Sequence, residues 1–143
     1  MGKKYIVEKD FEYKGLRCIV IFSMNGWRNG YVGVPKSNKY YGKSYMDIEQ
    51  SIDYGDCHGG LTYSSEKENS DYPVESDLWW FGFDCAHYGD GKDLDLAYEK
   101  FPKYREQILA TKQIEDMFPT YDTVRTTEYV EQNCISLANQ LLK

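Results

Sequence analysis

The stretch "LRCIVIFSMNGWRNGYVGV", residues 16–34, decides the fold that we expect for this chain. Its first part, from Leu16 to Ser23, is rich in β-branched and aromatic residues, which favour extended strands. Two Asn-Gly pairs follow, and this dipeptide readily adopts the positive φ angles of tight hairpin turns. A second apolar run covers residues 30–34 and ends at Pro35. The stretch therefore predicts two antiparallel strands joined by a tight turn.

The last part of the chain predicts an amphipathic helix. Thr126 is a suitable N-cap, and Glu128 complements the positive end of the helix dipole. Apolar residues then recur at intervals of three and four, which places on one helix face Val130, Cys134, Leu137 and Leu141. Strands come early in the chain and the best helix comes last. We therefore expect a single α+β domain, residues 1–143, in which an antiparallel β-sheet packs against helices.

The composition limits the classes of function. The 143 residues carry a net charge of -6, and an acidic protein repels the phosphates of nucleic acid, so we expect no nucleic-acid partner. No apolar run approaches the ~18 residues of a membrane span, and the first residues lack the apolar core of a signal peptide. We expect a cytoplasmic protein with four free cysteine thiols, no membrane partner and no cofactor. The sequence leaves a homo-oligomer open.

The stretch "SDLWWFGFDCA", residues 76–86, predicts another strand. Side chains alternate between the faces of a strand, which assigns to the core Trp79, Phe81 and Phe83. The opposite face then points outward and carries Trp80, Gly82 and Asp84. Because glycine has no side chain, it leaves a gap between the indole and the carboxylate. We expect a planar ligand to lie in this gap.

A second motif, "HGGLTYSS", precedes that strand at residues 58–65. Its two glycines allow close approach of the backbone to a ligand, and their N–H groups suit an anion. A small nucleotide is bound by an aromatic ring that stacks on its base, a polar side chain that hydrogen-bonds the edge of the base, and groups that contact its phosphate. We predict a binding site for a nucleotide-like small molecule, formed by His58, Gly59, Gly60, Tyr63, Trp80, Asp84, His87 and Arg28. Consecutive strands usually neighbour each other, so we expect one concave surface to unite His58, Tyr63, Trp80 and Asp84.

Other hypotheses for the same residues stay open. Asp84, His87 and His58 are the residue types of a hydrolase or transferase. Cys85 with His58, or Cys57 with His87, would make a nucleophile pair. Exposed tryptophans and tyrosines would instead form the hot spot of a protein–protein inhibitor of a host factor. The spacing of cysteine and histidine matches no standard zinc pattern, so we expect no metal site.

Four segments of the chain resemble a family of small proteins from phages and bacterial mobile elements. They are "GYVGVPKSNKYYGKSY", "HGGLTYSS", "WWFGFDCAHYGD" and "DTVRTTEYVEQNCISLANQL". The resemblance covers most of residues 30–142 and is densest at residues 58–63 and 79–90. It implies a setting in the cytoplasm of a phage host. Since some small phage proteins sequester immune nucleotide signals, it also implies an anti-defence sponge that holds such a signal without turning it over.

Overall fold

The computed structural model of the chain describes residues 3–52 and 58–143. Its largest element is an antiparallel sheet built from β1 (Tyr5–Tyr13), β2 (Leu16–Ser23), β3 (Arg28–Val34), β4 (Tyr63–Ser64) and β5 (Trp79–Asp84). Across this five-stranded sheet the strands follow the order β1-β2-β3-β5-β4. Every neighbouring pair is antiparallel. The early part of the chain therefore forms a meander, and β4 and β5 extend it.

The helices are α1 (Tyr45–Ile48), α2 (Leu94–Lys100), α3 (Arg105–Met117) and α4 (Thr127–Leu141). A second, very short sheet pairs β6 (Asp90–Gly91) with β7 (Thr123–Val124) in parallel. This architecture confirms the predicted α+β fold with an antiparallel sheet and a C-terminal helix. Within residues 3–52 and 58–143, no helix has the length and apolar character needed to cross a membrane.

The predicted hairpin of residues 16–34 is present as β2 and β3, which pair along their length from Arg17 opposite Gly33 to Phe22 opposite Arg28. The second strand begins at Arg28, two residues before the predicted start at residue 30. β1 pairs with β2 at the edge of the sheet and was not expected from the sequence. Most of its side chains are exposed or half-buried, so it lacks the apolar content that marks β2.

The C-terminal helix α4 covers one face of the sheet, against β2 and β3. Its predicted apolar stripe is fully buried, as Val130, Cys134, Leu137 and Leu141 show. The close approach depends on Gly30 in β3, where an added Cβ would lie 2.7 Å from the sulfur of Cys134. The core under α4 also contains the expected face of β5, namely Trp79, Phe81 and Phe83.

The prediction that the other face of β5 points outward is wrong. Trp80 has 0% exposure, and its indole N–H donates to the hydroxyl of Ser76 over 2.9 Å. The expected gap at Gly82 is filled by the ring of Tyr31, which a Cβ at that position would overlap. A second core cluster covers this face of the sheet and contains Ile19, Ile21, Tyr31 and Trp80, with Tyr63 and Tyr72 packed against it. No planar ligand can lie against Gly82 without displacing Tyr31.

We expect both Trp80→Ala and Phe81→Ala to lower the free energy of unfolding by ~3–5 kcal/mol, since each removes a fully buried ring. Tyr88→Ala is the control, because Tyr88 is fully exposed, and it should change stability little. Urea denaturation followed by circular dichroism measures all three. A stable Trp80→Ala variant would show that the face of β5 opposite α4 is open after all.

The buried thiols lead to a second expectation. Cys18, Cys85 and Cys134 are all buried, and burial raises the pKa of Cys18 and of Cys85 to about 12. Because the thiolate is the reactive form, iodoacetamide at pH 8 should leave these three cysteines unmodified in the native protein and alkylate them in denaturant. Peptide mapping by mass spectrometry measures each site separately. Native alkylation at any of the three would contradict the packing described above.

Candidate functional site

A buried carboxylate, Asp90, stands at the centre of the candidate site. Its side chain is only 1% exposed. One oxygen, Oδ1, accepts from Nε of Arg125 at 2.8 Å. The other, Oδ2, contacts Nε2 of His58 at 2.8 Å and accepts the backbone N–H of His87 at 3.0 Å. We call His58, His87, Asp90, Arg125 and Tyr129 the Asp90 cluster.

The turn after β5 places Asp90 under His87. Asp84 accepts the backbone N–H of Ala86 at 3.1 Å, and the N–H of Asp90 donates to the carbonyl of His87 at 2.9 Å. Gly89 supplies the positive φ of 89° that closes this turn. Short polar side chains that bond their own backbone, followed by glycine, are typical of tight turns.

The short parallel sheet brings the other end of the chain to the same place. Asp90 in β6 pairs with Thr123 in β7, and Arg125 follows directly after β7. Arg125 also lies over the ring of Tyr129, with the guanidinium carbon 5.0 Å from the ring centre. Its guanidinium is thereby fixed by an ion pair on one edge and by an aromatic face below.

His58 is held from three sides by groups that the sequence separates widely. Its Nδ1 lies 2.7 Å from the hydroxyl of Tyr129, and its backbone N–H donates to the side chain of Asn133 at 2.8 Å. Both partners are in the first turns of α4. With Asp90 ionised, the hydrogen-bond network puts the proton of His58 on Nε2, so that Nδ1 accepts from Tyr129. Asp90, His58 and Tyr129 therefore form one hydrogen-bonded chain.

His87 is fixed by packing more than by hydrogen bonds. Its Nδ1 is buried and has no hydrogen-bond partner among the described residues. It lies 3.5 Å from Oδ1 of Asp84 and 3.8 Å from Oδ2 of Asp90. The ring centres of His87 and His58 are 5.8 Å apart. Gly59 lies against the ring, since a Cβ on Gly59 would be 2.5 Å from Cε1 of His87.

The surroundings keep Asp90 ionised. Burial by itself would raise the pKa of this carboxyl, but hydrogen bonds from Arg125, His58 and the backbone of His87 outweigh it, and the pKa lies below its usual range. The same ion pair raises the pKa of Arg125. The cluster thus contains a permanent negative charge beneath a permanent positive one.

Seven of the eight predicted site residues fall into two groups. The structure brings together His58, Gly59, His87 and Asp84, and buried Gly60 follows Gly59 in the chain. Tyr63 and Trp80 lie in the core cluster on the sheet face opposite α4. The expected convergence of His58 and Asp84 with Tyr63 and Trp80 is therefore not observed.

Two further candidates are corrected. Arg28 is buried, bonds Glu8 through Nε at 2.6 Å and Nη2 at 3.2 Å, and donates from Nη1 to the carbonyl of Arg125 at 3.0 Å. Its hydrogen bonds are made to other protein groups, and it holds the backbone of Arg125. Burial and the nearby charges of Asp90 and Asp84 raise the pKa of Cys85 to about 12, which disfavours the reactive thiolate. Cys57, the partner in the other nucleophile pair, lies outside the described residues.

Sequence reasoning missed four residues of this site: Asp90, Arg125, Tyr129 and Asn133. Two of them carried a usable signal, because Tyr129 and Asn133 are four residues apart and flank the predicted stripe residues Val130 and Cys134. Polar side chains next to a buried apolar stripe lie at the boundary between the core and the solvent, where they can bond other buried polar groups. Nothing local marked Asp90 as buried, since "GDG" is an ordinary turn sequence.

In comparisons with family models, curated proteins and solved structures, nothing matches this chain. The class of site therefore rests on the geometry: two histidines and an arginine held around one buried carboxylate in an α+β domain.

We expect Gly59→Ala to displace His87, because the new methyl group would occupy the space of its ring. Gly42→Ala is a matched control, since Gly42 has a similar φ of 82° and no atom near its Cβ position. Both variants carry the same backbone strain, so only the contact with His87 differs. The chain has two histidines, whose ring signals are measured by heteronuclear NMR. Unchanged His87 signals in Gly59→Ala would contradict the packing.

Proposed function

We propose that the protein binds a small phosphate-bearing molecule, of the kind found in nucleotide-derived signals, at the Asp90 cluster. The observation that carries this proposal is the pairing of Arg125 and His87 around one buried carboxylate. Asp90 holds the guanidinium of Arg125 through Nε and the backbone N–H of His87, and the backbone of Gly59 packs against the His87 ring. A ligand therefore has little to order on binding. Preorganised Arg and His donors are the groups that recognise phosphate in proteins.

The open side of the cluster presents donors. The side chains of His87 and Arg125 are 35% and 29% exposed, whereas Asp90 lies below them. Arg125 uses Nε for Asp90, and in the described part of the chain neither Nη1 nor Nη2 has a hydrogen-bond partner. Gly59 lies against the ring of His87, and Gly59 and Gly60 have positive φ of 67° and 80°. A phosphate oxygen would bridge the guanidinium and the imidazole.

The stacking partner differs from the one expected from the sequence. Trp80 cannot stack on a ligand, because it is buried in the core cluster on the sheet face opposite α4. Tyr88 is fully exposed and directly follows His87. In the proposed complex its exposed ring stacks on the nucleobase of the ligand. Sequestration of an immune signalling nucleotide, as the family resemblance implies, is the role in which we place this binding.

A second candidate function, a hydrolase or transferase, is favoured by the chain from Asp90 through His58 to Tyr129. An oriented carboxylate, an imidazole and a hydroxyl in sequence are the arrangement of a general-base relay. In this candidate Nδ1 of His58 accepts the proton of the Tyr129 hydroxyl as its oxygen attacks the phosphorus, and Asp90 orients the imidazole. The leaving group departs with a proton from water, and a second water later releases the phosphoryl group from the tyrosine. His87 and Arg125 hold the phosphate. The carboxylate that orients a histidine is then Asp90 and not Asp84, which was expected from the sequence, since Asp84 lies 3.5 Å from His87.

The inhibitor hypothesis loses its tryptophans but keeps its tyrosines, since Tyr88 and Tyr121 are fully exposed. Trp79 and Trp80 are buried, and Trp27 is half-buried beneath Lys92. Tryptophans therefore do not form an exposed hot spot in this fold.

We expect isothermal titration with a panel of ADP-ribose, cyclic dinucleotides and mononucleotides to find a ligand that binds the wild type. Arg125→Gln should weaken its binding by about 10- to 100-fold, because a charge-assisted hydrogen bond is lost. Arg105→Gln is the matched control, since Arg105 also stacks on a tyrosine ring, at 4.8 Å, but lies away from the cluster. Equal affinity in both variants, or no binding to any member of the panel, would contradict the proposed function.

The same samples separate capture from turnover. The protein is incubated with the ligand and heat-denatured, and the supernatant is chromatographed. Binding without chemistry returns the intact ligand, whereas the hydrolase candidate returns product. If product forms, Tyr129→Phe should reduce its rate and leave the affinity little changed, because the variant removes the hydroxyl that bonds His58.

A further inference from the structure

The charge of the site is at odds with an anionic ligand. Asp84 and Asp90 contribute two negative charges near His87, and Arg125 contributes one positive charge. With neutral imidazoles the site is net negative, and the whole chain carries -6. A phosphate would be repelled at short range unless a further cation is present. One divalent ion reverses the sign of the site.

Suitable ligand atoms are already close together. One nitrogen from each of His58 and His87 and one oxygen of Asp90 lie within 4.8 Å of one another. Oδ2 of Asp90 is 2.8 Å from Nε2 of His58 and 3.8 Å from Nδ1 of His87. When metal–ligand bonds are about 2.0–2.2 Å long, the ligand atoms lie roughly 3–3.5 Å from one another. Small movements of the three side chains would therefore bring these atoms into position around one ion. Oδ1 of Asp84, at 3.5 Å from the same Nδ1, is a fourth donor at the margin.

The buried Nδ1 nitrogen of His87 independently points to a metal ion at this position. Its Nδ1 is shielded from solvent and, in the described residues, no donor or acceptor bonds it. An unsatisfied buried nitrogen is costly, and native proteins retain few of them. Two carboxylate oxygens lie within 4 Å of this nitrogen. A metal ion between them accepts the lone pair and removes the cost.

The groups around these ligands suit the outer layer of a metal site. When Nε2 of His58 binds a metal, its proton moves to Nδ1, which then donates to the hydroxyl oxygen of Tyr129 at the same 2.7 Å separation. Arg125 holds Oδ1 of Asp90 and leaves Oδ2 directed toward both histidines. Such partners orient metal ligands and fix their tautomers in known metal sites.

We propose that His58, His87 and Asp90, with Asp84 at the margin, bind one divalent transition-metal ion. Two imidazoles and a carboxylate suit Zn²⁺, Mn²⁺ or Fe²⁺ better than Mg²⁺ or Ca²⁺. This opposes the expectation of no metal site, which used only cysteine and histidine spacing. The inference deepens the proposed function and rests on it for its role: the ion and Arg125 together hold the phosphate of the ligand.

The first test uses the wild-type protein stripped with EDTA. Zn²⁺ is titrated in competition with a chromophoric chelator, and the ring signals of the two histidines are followed by NMR. We expect one ion per chain, with a Kd in the micromolar range or below and with both histidine signals shifted. Absence of stoichiometric binding, or binding that leaves both signals in place, would overturn the inference.

Variants locate the ion. His87→Ala should weaken Zn²⁺ binding at least about tenfold, and its half-exposed side chain makes it less disruptive than a change at Asp90. Asp84→Asn should weaken binding to a smaller extent. Asp95→Asn, at an exposed carboxylate bonded to Lys112, is the control and should bind as the wild type does. Wild-type affinity for Zn²⁺ in His87→Ala would overturn the inference. If His87→Ala does not fold, wild-type affinity in Asp84→Asn would overturn it instead.

The metal and the ligand are separable. If the phosphate-bearing ligand binds equally well in EDTA and no metal is taken up, the metal inference fails and the proposed function stands. If Zn²⁺ binds and shifts both histidines but no member of the nucleotide panel binds, the metal site stands and the proposed function fails.

Discussion

The ion pair between Asp90 and Arg125 is the interaction on which the site depends. A carboxylate with 1% exposure is stable only where several donors replace its water, and here the donors come from three distant segments. The turn after β5 contributes the backbone of His87, the segment before β4 contributes His58, and the segment before α4 contributes Arg125. Asp90 therefore ties the end of β5 to the start of the C-terminal helix. The buried Arg28–Glu8 pair extends this link to β1, because Glu8 also accepts from Thr127 in α4.

The sequence predicted which segments form strands and the C-terminal helix better than it predicted which faces of the sheet are buried. The β-branched run of β2 and the Asn-Gly turn predicted the hairpin, and the apolar stripe of α4 predicted the helix and its buried face. The faces of β5 were harder. Alternation distinguishes two faces but does not say that either is exposed, and in this sheet both are covered. Tyr31 from the neighbouring strand fills the space over Gly82, a contact between strands that no local pattern records.

The site could be predicted only in part, for a related reason. His58, His87 and Asp84 were found because their residue types stand out in two short motifs. Asp90, Arg125 and Tyr129 were missed because their importance arises from long-range contacts: Arg125 is 35 residues from Asp90, and Tyr129 is 71 residues from His58. An aspartate in a glycine turn and an arginine in a polar segment have the same local character whether they are buried or solvated. Burial is set by the tertiary fold.

The hydrogen-bond chain through His58 allows one set of heavy atoms to serve two chemical states. In the metal-free state the proton lies between Nε2 and Asp90, and Tyr129 donates to Nδ1. With an ion on Nε2 the proton lies on Nδ1 and Tyr129 accepts, so the hydroxyl need only rotate. Asp90 keeps Arg125 on its other oxygen in both states. Ion binding would then change the charge and the proton positions of the site without repacking α4, since Tyr129 and Asn133 keep their bonds to His58. Under the proposed function, a site that does not repack would bind a preformed anion rather than close around a flexible substrate.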